Sequence, residues 1–163
     1  MIKSSGSAVA SFLQDYLNIE IVNLIVRTSE TRDMARSKLE RMGQQIGEKY
    51  TELFFLKTPL PDYQPNLKGV EDYLVNGFWP AVFKGRCNSS GIDAKKCLVL
   101  EDTHFSWISK ISLCGSPPEE LSIYLAMPCG ILRGAVKALG FRCKVSGETD
   151  STAVKCKFAI QFA

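Results

Sequence analysis

Small residues recur at every fourth position inside the most apolar helical stretch of the chain. Ala126, Gly130, Gly134 and Ala138 lie within SPPEELSIYLAMPCGILRGAVKALG, Ser116–Gly140. On an α-helix that spacing makes one ridge with almost no side chain. Leu121, Leu125, Ile131, Leu132, Val136 and Leu139 keep a helical apolar spacing around it. A mid-helix glycine costs about 1 kcal/mol relative to alanine. A helix that carries two needs compensation, and the close approach of another backbone supplies it. The stretch is therefore expected at the centre of the domain, against a sheet or a second helix. Ser116 with Glu119 reads as a capping box followed by Pro117 at the first helical position, and Gly140 reads as the stop. Pro128 is expected to kink the helix, its ring meeting the carbonyl of Tyr124.

Upstream, Val9–Val26 predicts a first helix with more apolar positions than one face can hold: Val9, Ala10, Phe12, Leu13, Tyr16, Leu17, Ile19, Ile21, Val22, Leu24, Ile25 and Val26. Its polar stripe, Ser11, Gln14, Asp15 and Asn18, is narrow. Either the chain buries this helix on both sides, or a partner subunit covers what the core cannot. The length favours a partner. A second helix is expected over Glu30–Phe54, with Ala35, Leu39, Met42, Ile46, Tyr50 and Leu53 as its apolar stripe and Arg36, Glu40, Gln44 and Glu48 as a solvated face. Gly43 and Gly47 share the four-residue spacing, which carries little in isolation. The proline-rich Lys57–Leu67 reads as a connector. A third helix follows over Lys68–Phe78, with Val70, Tyr73, Leu74 and Phe78 inward and Pro80 ending or bending it. Phe78, Trp79, Val82 and Phe83 read as core, and Cys87–Lys95 as a polar loop.

Strands are expected at Lys96–Glu101 and His104–Ser112. In a terminal hairpin Phe141, Cys143 and Val145 alternate with Arg142, Lys144 and Ser146, and Val154, Cys156, Phe158, Ile160 and Phe162 alternate with Lys155, Lys157, Ala159 and Gln161. Pairing Phe141 with Phe158, Cys143 with Cys156 and Val145 with Val154, around a loop of Glu148–Ser151, puts both apolar sets on one face. The element order ααα-ββ-α-ββ predicts an α+β domain spanning 1–163.

Chemistry is sparse. The net charge of +3 does not point to nucleic acid. Neither a signal core nor an apolar run of membrane-spanning length is present, so a cytosolic protein is expected. Six cysteines stand 10 to 17 residues apart, without the close pairs of zinc sites. They read as reduced thiols. Cys129, Cys143 and Cys156 are expected to be buried and inert to acylation. The one histidine, His104, reads as a surface residue in a turn. Arg133, between two glycines, is open to two readings: an anion or partner contact, or a tie to a nearby carboxylate or carbonyl. No glycine-rich phosphate loop and no inward pair of carboxylates is present. The residues read as a binding or scaffold module without catalytic residues, metal or cofactor.

Met127–Phe141 (MPCGILRGAVKALGF), with Lys155–Ile160 (KCKFAI) in the strands after it, resembles the small-subunit family of the TRAPP vesicle-tethering complex. Cys129, Gly130, Arg133, Gly134 and Ala135 form the motif core. Phe12–Val22 and Leu39–Tyr50 resemble the first two family helices. Gly69–Gly85 and Cys97–Ser112 resemble the subunit-6 branch, on Leu100, Asp102, Phe105 and the Phe78-Trp79 pair. The subunit-3 branch is known for an acylated cysteine ahead of the third helix, and Asp62–Lys68 has none. The resemblance implies helices on one side of a four-stranded antiparallel sheet. It implies heterodimerisation with a subunit-3 chain, largely through the first two helices. It also implies a non-catalytic role in a complex that tethers ER–Golgi and Golgi vesicles and activates a Rab GTPase. The chain would then be cytoplasmic and peripheral at those membranes, with neither nucleic acid nor a small-molecule substrate as partner; a homodimer in isolation stays open. On this reading Phe12, Tyr16, Leu17, Ile21, Leu24, Met42 and Ile46 form the partner interface. A second class stays open as well: a sensor domain of related architecture that binds a small apolar or haem-type ligand.

Overall fold

The structure, a computed structural model, describes residues 3–57, 63–111, 121–150 and 155–163, with side chains from Val9 onward except Ser11. Two long helices open the chain, α1 (Lys3–Thr28) and α2 (Arg32–Lys57). Helix α3 (Leu67–Asp72) starts on Asn66, whose side chain accepts from the Gly69 amide at 2.8 Å. It passes without a break through a widened turn, Tyr73–Phe78, into α4 (Trp79–Phe83). In that turn the Trp79 amide reaches back five residues to the Leu74 carbonyl. Pro80, which has no N–H to donate, follows directly, so the helix runs on to Phe83 instead of stopping. Phe78, Trp79 and Phe83 are fully buried, as expected, and Val82 is half-buried.

Strand β1 (Asn88–Ile92) occupies the stretch expected to be a polar loop, and β2 is Cys97–Asp102. The second strand expected at His104–Ser112 does not form. Asp102 accepts from the His104 backbone amide at 2.8 Å, turning the chain, and a short helix α5 (Ser106–Ser109) follows. Phe105, Ile108 and Ile111, three apart, bury together there. The other oxygen of buried Asp102 accepts from the Trp79 indole at 2.9 Å, and Gly85 packs against it: a Cβ at Gly85 would stand 2.8 Å from that oxygen. Asp102 and Phe105 thus lock the end of β2 to α4, and Leu100 is buried in the sheet beside them.

Helix α6 (Ala126–Ala138) is preceded by a tight 3₁₀ turn, Ser122–Leu125. The expected capping box at Ser116–Glu119 lies outside the described residues. Pro128, the site of the expected kink, stands two residues past the point at which the 3₁₀ turn gives way to α6. It falls in the first turn of α6, where an amide has no intrahelical acceptor, and the change from 3₁₀ to α precedes it. Gly140, at φ 89°, ends the helix: its own amide bonds Lys137, and the Phe141 amide reaches the Val136 carbonyl at 3.2 Å.

Strands β3 (Cys143–Thr149) and β4 (Cys156–Phe162) complete one antiparallel sheet of order β1-β2-β4-β3. The hairpin register differs from the expected one by six. Cys143 faces Phe162, Val145 faces Ile160, Gly147 faces Phe158 and Thr149 faces Cys156. Alternation fixes parity, and parity is kept. Strand β3 runs on to Thr149 and β4 starts only at Cys156, so the turn falls later in the chain and Cys143 and Cys156 are not opposite one another. One sheet face buries Leu98, Leu100, Phe158 and Ile160 under the helices, while Lys144, Lys157 and Gln161 point to solvent. The core is aromatic: Trp79 packs on Phe83, Phe105 and Phe158 at ring distances of 4.7, 6.0 and 5.6 Å.

Helices α2 and α6 form the tightest contact. A Cβ at Gly43 or Gly47 would overlap the carbonyl oxygens of Met127 and Ile131, and one at Gly130 or Gly134 those of Glu40 and Gln44. Each glycine pair admits the other helix's backbone. Two expectations about α2 change accordingly. Its buried line is Ala35, Leu39, Gly43, Gly47 and Thr51, while Ile46 and Leu53 are exposed. The face expected to be solvated instead meets α6: Arg133 Nε donates to Gln44 Oε1 at 3.1 Å and pairs with Glu40 at 3.5 Å, and Lys137 pairs with Glu48 at 2.8 Å.

Candidate functional site

The first half of helix α1 sits on the body with its polarity reversed. Asp15 and Asn18 face inward at 6% and 8% exposure, while Phe12 and Leu17 face out at 54% and 59%. Among the described side chains of α1 Val22 is the fully buried hydrophobic one; Ile19, Ile21 and Ile25 are partly so. Asp15 and Asn18 of the polar stripe thus share the attachment side with Val22 and the three partly buried isoleucines. Asp15 forms an ion pair with Lys110, Gln14 accepts from Lys84 at 3.0 Å, and Asn23 accepts from the Tyr124 hydroxyl at 2.6 Å. Burying a carboxylate is costly unless it is paired, and Lys110 pairs it. The same ammonium lies 3.9 Å from the centre of the Phe12 ring, and Phe12 packs on Tyr16 at 5.3 Å. One lysine thus holds both the inward acid and the outward aromatics.

The outward side carries Val9, Phe12, Leu13, Tyr16, Leu17 and Leu24, and α2 adds Ile46. Of the seven interface residues expected from sequence, Phe12, Tyr16, Leu17, Leu24 and Ile46 are exposed, and Ile21 and Met42 half-buried. Leu13 and Val9 belong to the same surface and were missed; their helical spacing from Leu17 and Phe12 was the signal. The anchors Lys110, Lys84 and Tyr124 had none, because contacts across 70 or more residues leave no local pattern.

The motif residues play another part. Cys129, Gly130, Gly134 and Ala135 are buried in the α2–α6 seam and above the sheet, and Arg133 makes the tie to carboxylate and amide described above. Burial pushes the thiols of Cys87, Cys129 and Cys156 up to about 12 and that of Cys143 to about 11. Thiols held protonated are poor nucleophiles. The described cysteines are free. His104 is exposed in its turn, within 3.2 Å of the Thr103 hydroxyl. Among the described residues no cluster has the composition of a metal site, and no helix is long and apolar enough to cross a membrane.

Residues 14–163 match the family described as transport protein particle (TRAPP) component. The chain is similar to trafficking protein particle complex subunit 6b of Danio rerio, 30% identical over 152 residues that cover 91% of this chain and 94% of the relative. Human subunit 6B is 28% identical over 148 residues, 88% of this chain and 91% of the relative. Among solved structures, a trafficking protein particle complex subunit 3 from Naegleria fowleri, covalently bound to palmitic acid, superposes with a TM-score of 0.80 at 14% identity over 96% of both chains. An H-NOX protein from S. oneidensis in its Fe(II)NO state gives a TM-score of 0.53 at 14% identity, over 88% of this chain and 74% of that one. At these identities the two structures speak for the fold alone.

Proposed function

Since the chain belongs to the TRAPP component family and is similar to its subunit-6 members, we propose that it is a non-catalytic structural subunit of a trafficking complex that docks a subunit-3-type chain through the outer face of α1 and the adjoining part of α2. The supporting observation is the first half of α1: Asp15 and Asn18 turn toward the body, and Phe12, Leu13, Tyr16 and Leu17 face out. An apolar face presented by polar anchors is suited to burial by a partner. Phe12 and Tyr16 would serve as aromatic anchors, with Leu17, Leu24 and Ile46 around them. An interface of standard size buries on the order of 1,600 Å² in total. The vesicle-tethering and Rab-activating roles, and a place at ER–Golgi and Golgi membranes, follow from the assembly and not from any group on this chain. A haem-type sensor would need a histidine inside a pocket, and the chain's one histidine, His104, is exposed.

The test is Leu17→Asp. Leu17 is exposed in the isolated chain, so the variant is expected to keep its circular dichroism spectrum and melting temperature. In the complex the new carboxylate would be buried without a partner, at a cost of about 3–5 kcal/mol. Co-elution with the purified subunit-3-type chain is expected to be lost. Assembly at wild-type affinity would place the interface elsewhere.

A further inference from the structure

A cleft of about 220 Å³ opens beside this face, between α1, α2 and α4, with α5 and α6 as its floor. Its walls are Ile46, Tyr50, Val82, Trp107, Met127 and Ile131. Ala81, exposed, stands with Lys84 on its α4 side. A cleft of this size has room for one large side chain. Three side chains that line it carry donors. Asn18, more than nine-tenths buried, has its amide nitrogen without a hydrogen-bond partner among the described residues. Gln14 gives its oxygen to Lys84, which leaves its amide nitrogen as the donor. Lys84 adds a cation. Ile46 belongs to both the cleft and the exposed apolar face, so the two surfaces are continuous.

We propose that this cleft is the socket for one acidic side chain of the partner subunit, whose stem packs on Trp107 and Met127 and whose carboxylate accepts from Asn18 and faces Lys84. A buried amide with no acceptor is costly, and a partner that supplies one removes that cost only in the complex. The inference rests on the proposed docking through α1 and α2 and adds what the partner must present there.

Two variants separate the socket from the surrounding surface. Ala81→Phe plugs the mouth from an exposed position and is expected to leave folding intact. Asn18→Leu removes the orphaned amide and is expected to raise the melting temperature of the isolated chain by about 2–4 °C. Titration calorimetry with the purified subunit-3-type chain is expected to show each variant binding at least about tenfold more weakly, so that for Asn18→Leu stability and affinity move in opposite directions. A merely structural Asn18 would move them together. Wild-type affinity in Ala81→Phe overturns the proposal, and this variant alone decides if Asn18→Leu melts lower. Leu17→Asp is the control for the underlying reading: if it also binds normally, the docking face is wrong, whereas its loss of binding beside a normal Ala81→Phe rejects only the socket. Sedimentation of the chain alone gives the last arm. Self-association that Ala81→Phe abolishes would make a second copy the occupant and overturn the assignment to the partner.

Discussion

At the scale of single residues, four glycines decide how the molecule holds together. An alanine in place of a helical glycine normally gains about 1 kcal/mol. At Gly43, Gly47, Gly130 and Gly134 the sign is expected to reverse, because the added carbon meets backbone of the facing helix, which cannot rotate away as a side chain can. Overpacking of this kind costs about 1–3 kcal/mol, occasionally more, or roughly 2–10 °C in melting temperature for a chain of this size. Gly147→Ala is expected to be milder. Its neighbours are the Cys129 sulfur and the Phe158 ring, both at 3.0 Å, and both are side-chain ends. Thermal melts of the five variants check the order; a Gly134→Ala chain as stable as wild type would contradict the seam. The ridge on α6 was legible in the sequence from its spacing. Its occupant was not, since the Gly43–Gly47 spacing gains meaning only once the two helices are seen to cross there.

At the scale of elements, the seam between α2 and α6 combines close backbones with a flanking ladder of charges. The Glu48 carboxyl is held below its usual value, first by the hydrogen bond from Lys137 and then by that from Gln44. The unfolded chain therefore takes up this proton more readily than the folded one. The contribution is present above the ordinary carboxylate value of 4.5 and is lost as pH falls through the lowered one. Urea unfolding at pH ~7 and pH ~4 is expected to show wild type losing more stability than Glu48→Gln over that interval; equal losses would remove Glu48 from the account. The elements also show where reading by pattern stops. Alternation set the parity of β3 against β4, yet the register moved by six, because β3 runs on to Thr149 and β4 starts only at Cys156, which puts the turn later in the chain than expected. The stretch after β2 looked like a strand by alternation, whereas Asp102 turns the chain and the three-residue spacing of Phe105, Ile108 and Ile111 takes over.

For the molecule as a whole, attachment is uneven. Helices α2 and α6 interlock along their length and α6 packs on β3, while α1 is held by a few polar anchors, Asp15–Lys110 and Tyr124–Asn23 among them, by the fully buried Val22 and by the partly buried Ile19, Ile21 and Ile25. Local opening follows buried apolar contact. Amide exchange in the isolated chain is expected to be fast in α1 and slow in α2 and α6. Saturating subunit-3-type chain is expected to slow exchange in α1 with little change in α6. Protection of α1 that is already high in the isolated chain, or unchanged by the partner, would show that α1 does not await a cover.

The sequence by itself determined the class of fold, the central place of the α6 stretch, the aromatic core around Phe78, Trp79 and Phe83, and the surplus of apolar residues on α1. Each is a local property, written in spacing and composition and readable without knowing what lies opposite. Only the tertiary structure decided which face of α1 turns inward, that Glu40, Gln44 and Glu48 meet Arg133 and Lys137 instead of water, and that Asn18 borders a cleft with its amide unmet. A residue's polarity states what environment it tolerates, and a buried carboxylate such as Asp15 is tolerated only where a distant Lys110 is delivered to it. That delivery depends on the path of the whole chain, so no window of sequence contains it.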